Sequence, residues 1–104
     1  MRRPRLGPRM YDAVQMLHAH PEITQWDLCR NIGPHGSNAY GYRTLLRCEA
    51  AGLVQRRTRT EQEVDSAGNV RRAGTIELLL TDKGGLLAGL NLWNAETKFR
   101  ELSR

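Results

Sequence analysis

The sequence predicts an α+β domain, in the order helix, helix-turn-helix, two-stranded β hairpin and C-terminal helix. Three observations predict it. Apolar residues recur at helical spacing in two short runs between Thr24 and Val54, broken by Gly33-Pro34-His35-Gly36. After Leu53 the chain turns polar and Thr-containing, then returns through an alternating Ile76, Leu78, Leu80 run on the far side of the turn residues Asp65-Ser66-Ala67-Gly68-Asn69. A leucine-rich stripe at three- and four-residue spacing follows Gly85.

Residues 1–8, MRRPRLGP, carry three arginines and two prolines without periodicity. They are expected to form a flexible basic arm that orders only against a partner. From Arg9 to His20, Met10, Ala13, Val14 and Leu17 recur at helical spacing, and Pro21 ends this first helix. Thr24 and Asp27 are placed to cap the second helix, which carries Trp26, Leu28 and Ile32. Gly33 is expected as its left-handed C-cap, with Pro34 unable to continue it. Ser37 is the N-cap candidate of the third helix, residues 37–51, whose Gly41, Thr44, Leu45 and Cys48 share an inward face. The hairpin spans residues 54–80. In the last segment Leu86, Leu87, Leu90 and Trp93, with Phe99 and Leu102, make an apolar stripe. Leu86, Leu90 and Trp93 are expected to pair with a second copy, because so short a chain has little core for Trp93 and Phe99 to reach. The organisation is then an arm at 1–8, a main unit at 9–83 and a dimerisation helix at 84–104.

A chain of 104 residues is one domain, and its apolar runs are far too short to span a bilayer. No signal-peptide core follows the basic N-terminus, so a cytoplasmic location is expected. Cys29 and Cys48 fall on apolar helical positions and read as small buried thiols. With His18, His20 and His35 they match no common zinc spacing, and neither metal nor other cofactor is expected. The net charge of +5 is unevenly spread. Residues 1–60 hold ten arginines against four acidic residues, a balance of +6, whereas residues 61–104 hold six basic and seven acidic, a balance of −1. The positive half is the half that contains the arm, the helix-turn-helix and the start of the hairpin.

Two short helices joined by a tight Gly-containing turn are the motif whose second helix enters the major groove of DNA. With Gly41, Thr44, Leu45 and Cys48 inward, Ser37, Asn38, Tyr40, Tyr42, Arg43 and Arg47 lie on or beside the open face, and none is acidic. Arg pairs bidentately with guanine and Asn with adenine, while Ser and Tyr commonly reach phosphates. Arg56, Arg57 and Arg59 on the outgoing strand, with Arg71 and Arg72 on the returning one, suit phosphates or the adjacent minor groove, although Glu61, Glu63 and Asp65 dilute the charge near the tip.

Two words of the sequence lie on either side of the hairpin: Thr44-Leu45-Leu46-Arg47-Cys48-Glu49-Ala50-Ala51-Gly52-Leu53-Val54 and Leu80-Thr81-Asp82-Lys83-Gly84. With the element order, they make residues 9–92 resemble the winged helix-turn-helix regulators of the MarR and PadR type. In those families the recognition helix ends in a leucine-rich Gly-Leu-Val or Gly-Leu-Ile stretch, and the wing returns through Leu-Thr-x-x-Gly. The resemblance implies DNA contacts from Ser37, Asn38, Tyr40, Tyr42, Arg43 and Arg47, and wing contacts from Arg57 and Arg59. Arg72 on the returning strand is a further DNA-contact candidate. Three departures stand out: Cys48 where a leucine is usual, Gly41 in place of a larger apolar residue, and a C-terminal helix shorter than many PadR-like dimerisation arms.

The expected function is therefore sequence-specific binding of double-stranded DNA by a homodimer, as a small transcriptional repressor. Two other readings use the same features: an architectural factor of partition or excision type that assembles along DNA, and a winged-helix module that docks on a protein. No membrane partner and no small-molecule effector are expected. An enzyme is not expected either, because no paired-carboxylate, Ser-His-Asp or Cys-His constellation and no phosphate-cradling Gly-rich loop occurs.

Overall fold

The computed structural model describes residues 5–103, apart from the side chains at positions 61 and 71–73. These residues build five α-helices and one two-stranded antiparallel sheet. Helix α1 is Pro8–Ala19, α2 Gln25–Ile32 and α3 Asn38–Ala50; strands β1, Val54–Val64, and β2, Val70–Leu80, form the hairpin; α4, Asp82–Leu87, and α5, Leu92–Leu102, close the chain. Among the described residues no helix is long and apolar enough to cross a membrane.

Each helix of the first half begins and buries where its pattern dictates. Helix α1 buries Met10, Ala13, Val14 and Leu17, one stripe of its surface. Helix α2 is capped by Thr24, whose Oγ1 accepts from the Asp27 N–H at 3.1 Å. Gly33, expected in the left-handed region, is extended instead (φ −77°, ψ 144°). Its lack of a side chain serves a close approach: a Cβ there would lie 1.9 Å from the Ser37 carbonyl oxygen. The reversal of direction falls on His35 and Gly36, at φ 55° and 73°, within a 3₁₀ turn at Pro34–Gly36. Helix α3 then packs across α2 at Gly41, where an added Cβ would sit 1.8 Å from the Cys29 carbonyl oxygen. Backbone therefore meets backbone at this crossing, and this is why a larger apolar residue is absent from position 41.

The two sequence words that bracket the hairpin are bonded to each other. Helix α3 ends in a Schellman motif: Gly52 is at φ 76°, its N–H bonds the Glu49 carbonyl at 3.0 Å, and the Leu53 N–H bonds that of Cys48 at 2.9 Å. Across the gap, the Thr81 N–H bonds the Leu53 carbonyl at 3.1 Å, and the Thr81 hydroxyl donates to the Gly52 carbonyl. The Thr81 Oγ1 also accepts from the Gly84 N–H at 3.1 Å, capping α4. Lys83 Nζ donates to the Ala51 carbonyl at 2.9 Å, where a cation suits a helix C-terminus. A Cβ on Gly84 would come within 2.2 Å of the Leu53 carbonyl oxygen. Leu-Thr-x-x-Gly and Gly-Leu-Val thus form one joint.

The hairpin pairs from Val54↔Leu80 to Val64↔Val70 without a bulge. Eleven residues a strand at about 3.3 Å each give roughly 36 Å, which accounts for much of the molecule's 56 Å long dimension. Only its base is held: Val54 and Leu78 are buried, whereas Ile76, Val64 and Val70 on the same face are exposed. The turn is set by Asp65, whose Oδ1 accepts from the Ala67 and Asn69 N–H groups, each at 2.9 Å.

Three further expectations need correction. The C-terminal segment is not one helix from residue 84: Thr81 caps a short α4, the chain turns at Gly89 (φ 85°), and Asn91 caps α5 by accepting from the Asn94 N–H at 2.8 Å. Nor is the monomer core out of reach of the last helix. Phe99 is 1% exposed and packs with Leu6, Leu87 and Ala95 in the same core as α1 to α3, with Lys83 Nζ 4.9 Å from its ring centre. Trp93, at 77% exposed, stays outside. The proposed 1–8 arm divides similarly: residues 1–4 lie outside the described residues, but Leu6 is 2% exposed and α1 already begins at Pro8.

Candidate nucleic-acid interface

The open surface of α3 follows from its inward face. With Gly41, Thr44, Leu45 and Cys48 buried, helical geometry puts Ala39, Arg43, Leu46 and Ala50 directly opposite, and all four are exposed. Of the residues expected from chemistry, Arg43 alone occupies that central line. Its guanidinium lies 5.4 Å from the Tyr40 ring centre, a cation–π contact that steers it without neutralising it. Tyr40 and Arg47 flank the line on one side, and Asn38 and Tyr42 on the other. Ala39, Leu46 and Ala50 were missed because they are not polar, although the 3.6-residue period alone locates them. Small and apolar side chains at such positions let a helix approach closely and suit contact with a thymine methyl.

The hairpin side of α3 is organised by one ion pair. Arg56 of β1 donates through Nε to Glu49 Oε2 at 2.8 Å and through a terminal nitrogen to Oε1 at 3.1 Å. Its other terminal nitrogen donates to the Tyr42 hydroxyl at 3.1 Å, and the guanidinium lies 5.6 Å from that ring centre. These bonds hold the Glu49 carboxyl below its ordinary range and raise the Arg56 guanidinium further. Glu49 is the only acidic residue of α3, so its clasp by Arg56 removes the one negative charge from this surface. Arg56 is correspondingly occupied.

Other expected contacts divide. Asn38 Nδ2 donates to the Trp26 carbonyl at 3.2 Å, which ties α3 to α2 and fixes the amide's orientation. Ser37 is half-buried at the N-cap position, but its hydroxyl caps nothing. Arg57, exposed, pairs across the strands with the half-buried Glu77 at 3.3 Å, so its charge is partly answered. Arg59 lines a cleft of about 280 Å³ with residues 21–24 and 75–78. The Arg72 side chain lies outside the described residues. On the apolar stripe expected to pair with a second copy, Leu86 and Trp93 are exposed, whereas Leu90 is half-buried, its carbonyl accepting from the Tyr11 hydroxyl at 2.5 Å.

Sequence chemistry also passed over Trp26, 61% exposed on α2, and Arg9, exposed beside α3, and read Arg5 only as part of the basic arm. The thiols do no exposed chemistry. Both cysteines are buried and unpaired; desolvation raises Cys29, and burial leaves Cys48 pushed up to about 12. Among the described residues no three His, Cys, Asp or Glu side chains converge as a metal site would require.

Comparison of the chain with protein-family profiles, with characterised proteins and with solved structures finds no match in any of the three.

Proposed function

We propose that this chain is a winged helix-turn-helix protein of MarR/PadR-like type that binds double-stranded DNA in a sequence-specific way, as a small repressor. In this reading α3 enters the major groove, with Arg43 reading bases, and Tyr42, Tyr40 and Arg47 placed for bases or phosphates at its edges. The β1–β2 hairpin is the wing, and the residues before α1 lie along the backbone. The observation that carries it is the sign of the open surface. The single carboxylate of α3 is clasped by Arg56, while Arg5, Arg43 and Arg47 have no ion-pair partner among the described residues. A surface that neutralises its own acid and leaves its arginines open fits a polyanion.

The proposed assembly is a homodimer with two-fold related recognition helices, joined through the exposed Leu86 and Trp93. No enzymatic activity or cofactor belongs to this reading.

The test is fluorescence anisotropy with a duplex from upstream of the gene and a random-sequence duplex, at low and moderate salt. Upstream binding that persists after the random-duplex signal is lost supports specific recognition. Equal and steeply salt-dependent affinities favour an architectural role, since counterion release is then the whole of the binding. Absence of binding at low salt sinks both DNA readings and leaves the protein-docking module.

A further inference from the structure

We infer that the cleft between the segment preceding α1 and helix α3 is a binding site for a phosphoryl group, held by Arg5, Arg9 and Arg47. The cleft has a volume of about 460 Å³, is open to solvent, and is floored by Met10 and Thr44. A second cleft of about 280 Å³ adjoins it, shares Arg5, Met10 and Arg47, and ends on Ala50, Ala51 and Phe99. Among the described residues no carboxylate lines either one.

Arg5 before α1, Arg9 in its first turn and Arg47 of α3 thus line one concave surface, and no carboxylate among the described residues lines it. Arg5 and Arg47 have no ion pair among the described residues, and Arg9 commits one N–H to the Ile32 carbonyl at 3.3 Å, leaving the rest of its fork. Gathering like charges is unfavourable unless an anion joins them. A dianionic tetrahedral group suits the arrangement, because its oxygens can accept several planar guanidinium forks at once. The first turn of α1 adds to the same field, with no acidic residue in it.

The phosphoryl group has two sources, a free phosphorylated compound or the backbone of a bound duplex. The apolar end of the adjoining cleft provides room for the body of an organic phosphate. With that source, occupancy withdraws Arg47 from the flank of α3, and the cleft is an effector site. The free-anion arm needs nothing of the DNA reading.

The experiment is a titration of the ¹⁵N-labelled full chain, first with sodium pyrophosphate and separately with a short random-sequence duplex, followed by arginine Nε–Hε and backbone amide signals. Saturable shifts of Arg5, Arg9 and Arg47 with pyrophosphate are expected, weakened roughly tenfold in the R5Q/R47Q double variant and less than about twofold in R30Q/R100Q. The control removes the same charge at exposed positions outside the clefts, and thermal melts check that both variants fold. If pyrophosphate fails to saturate but the duplex moves the same signals, and R5Q/R47Q abolishes the shifts, the DNA backbone is the source and the site stands. Pyrophosphate binding without random-duplex binding keeps the site and assigns it to a free anion, and the DNA reading then stands or falls on the upstream duplex alone. Absence of shifts at these arginines with either probe, or equal weakening in R30Q/R100Q, overturns the proposal.

Discussion

The joint at the base of the hairpin and the ribbon beyond it are continuous along the chain, yet they obey different physics. At the joint, Ala51, Gly52, Leu53, Thr81, Lys83 and Gly84 meet through four hydrogen bonds and a backbone contact too close for any side chain. Beyond Thr58 and Ile76 the ribbon stands away from the core, with Val64 and Val70 exposed at its end. A two-stranded ribbon without a packed face is marginal in water. The lesson is that the hairpin's placement is decided at its root, leaving its outer half free to carry surface chemistry.

The comparison breaks most readily at Gly84. Gly84→Ala drives a Cβ into the Leu53 carbonyl, and denaturant unfolding is expected to show a loss of about 3 kcal/mol, at the upper end of overpacking costs. A midpoint shift below a third of that would mean the joint yields. Thr81→Val is next. It removes the α4 cap and the donor to the Gly52 carbonyl, for about 1–2 kcal/mol by the same measurement.

The Glu49–Arg56 pair lies between the two regions and is partly exposed, so Glu49→Gln is expected to cost about 0.5 kcal/mol at neutral pH. Its pH dependence is the sharper reading. Because the folded-state pKa of Glu49 is depressed, the pair's contribution is present above the unfolded-state value of about 4.3 and fades as pH falls through the folded one. Wild type should therefore lose its advantage over E49Q below about pH 4, and a constant difference down to pH 2 would refute the assignment. The smallest effect belongs to the ribbon's end: Val64→Thr with Val70→Thr should change stability by less than about 0.5 kcal/mol. A larger loss would show that the outer ribbon is supported after all.

Legibility followed the range of the interactions. The inward faces of α1 and α3, the Thr24 cap and the Asp65–Asn69 turn were readable because each is settled within about four residues. The open line of α3 was equally readable, but polar chemistry drew attention to Tyr40 and Arg47 instead of Ala39, Leu46 and Ala50. Gly33 misled because glycine serves close approach as well as positive φ, and only the neighbour at Ser37 tells which. The cleft of Arg5, Arg9 and Arg47 could not be read at all, since its members lie up to forty-two positions apart.

By itself, then, the sequence determined the first three helices, the Thr24 cap, the hairpin and its turn, the period change after Leu53 and the concentration of positive charge in the first sixty residues. Tertiary structure alone decided which arginines are answered and which are open, why position 41 bears no side chain, where the C-terminal segment breaks, and that Phe99 but not Trp93 reaches the core. The division has a physical cause. Local hydrogen bonds and periodicity depend on neighbours along the chain, whereas charge pairing, desolvation and close packing depend on neighbours in space.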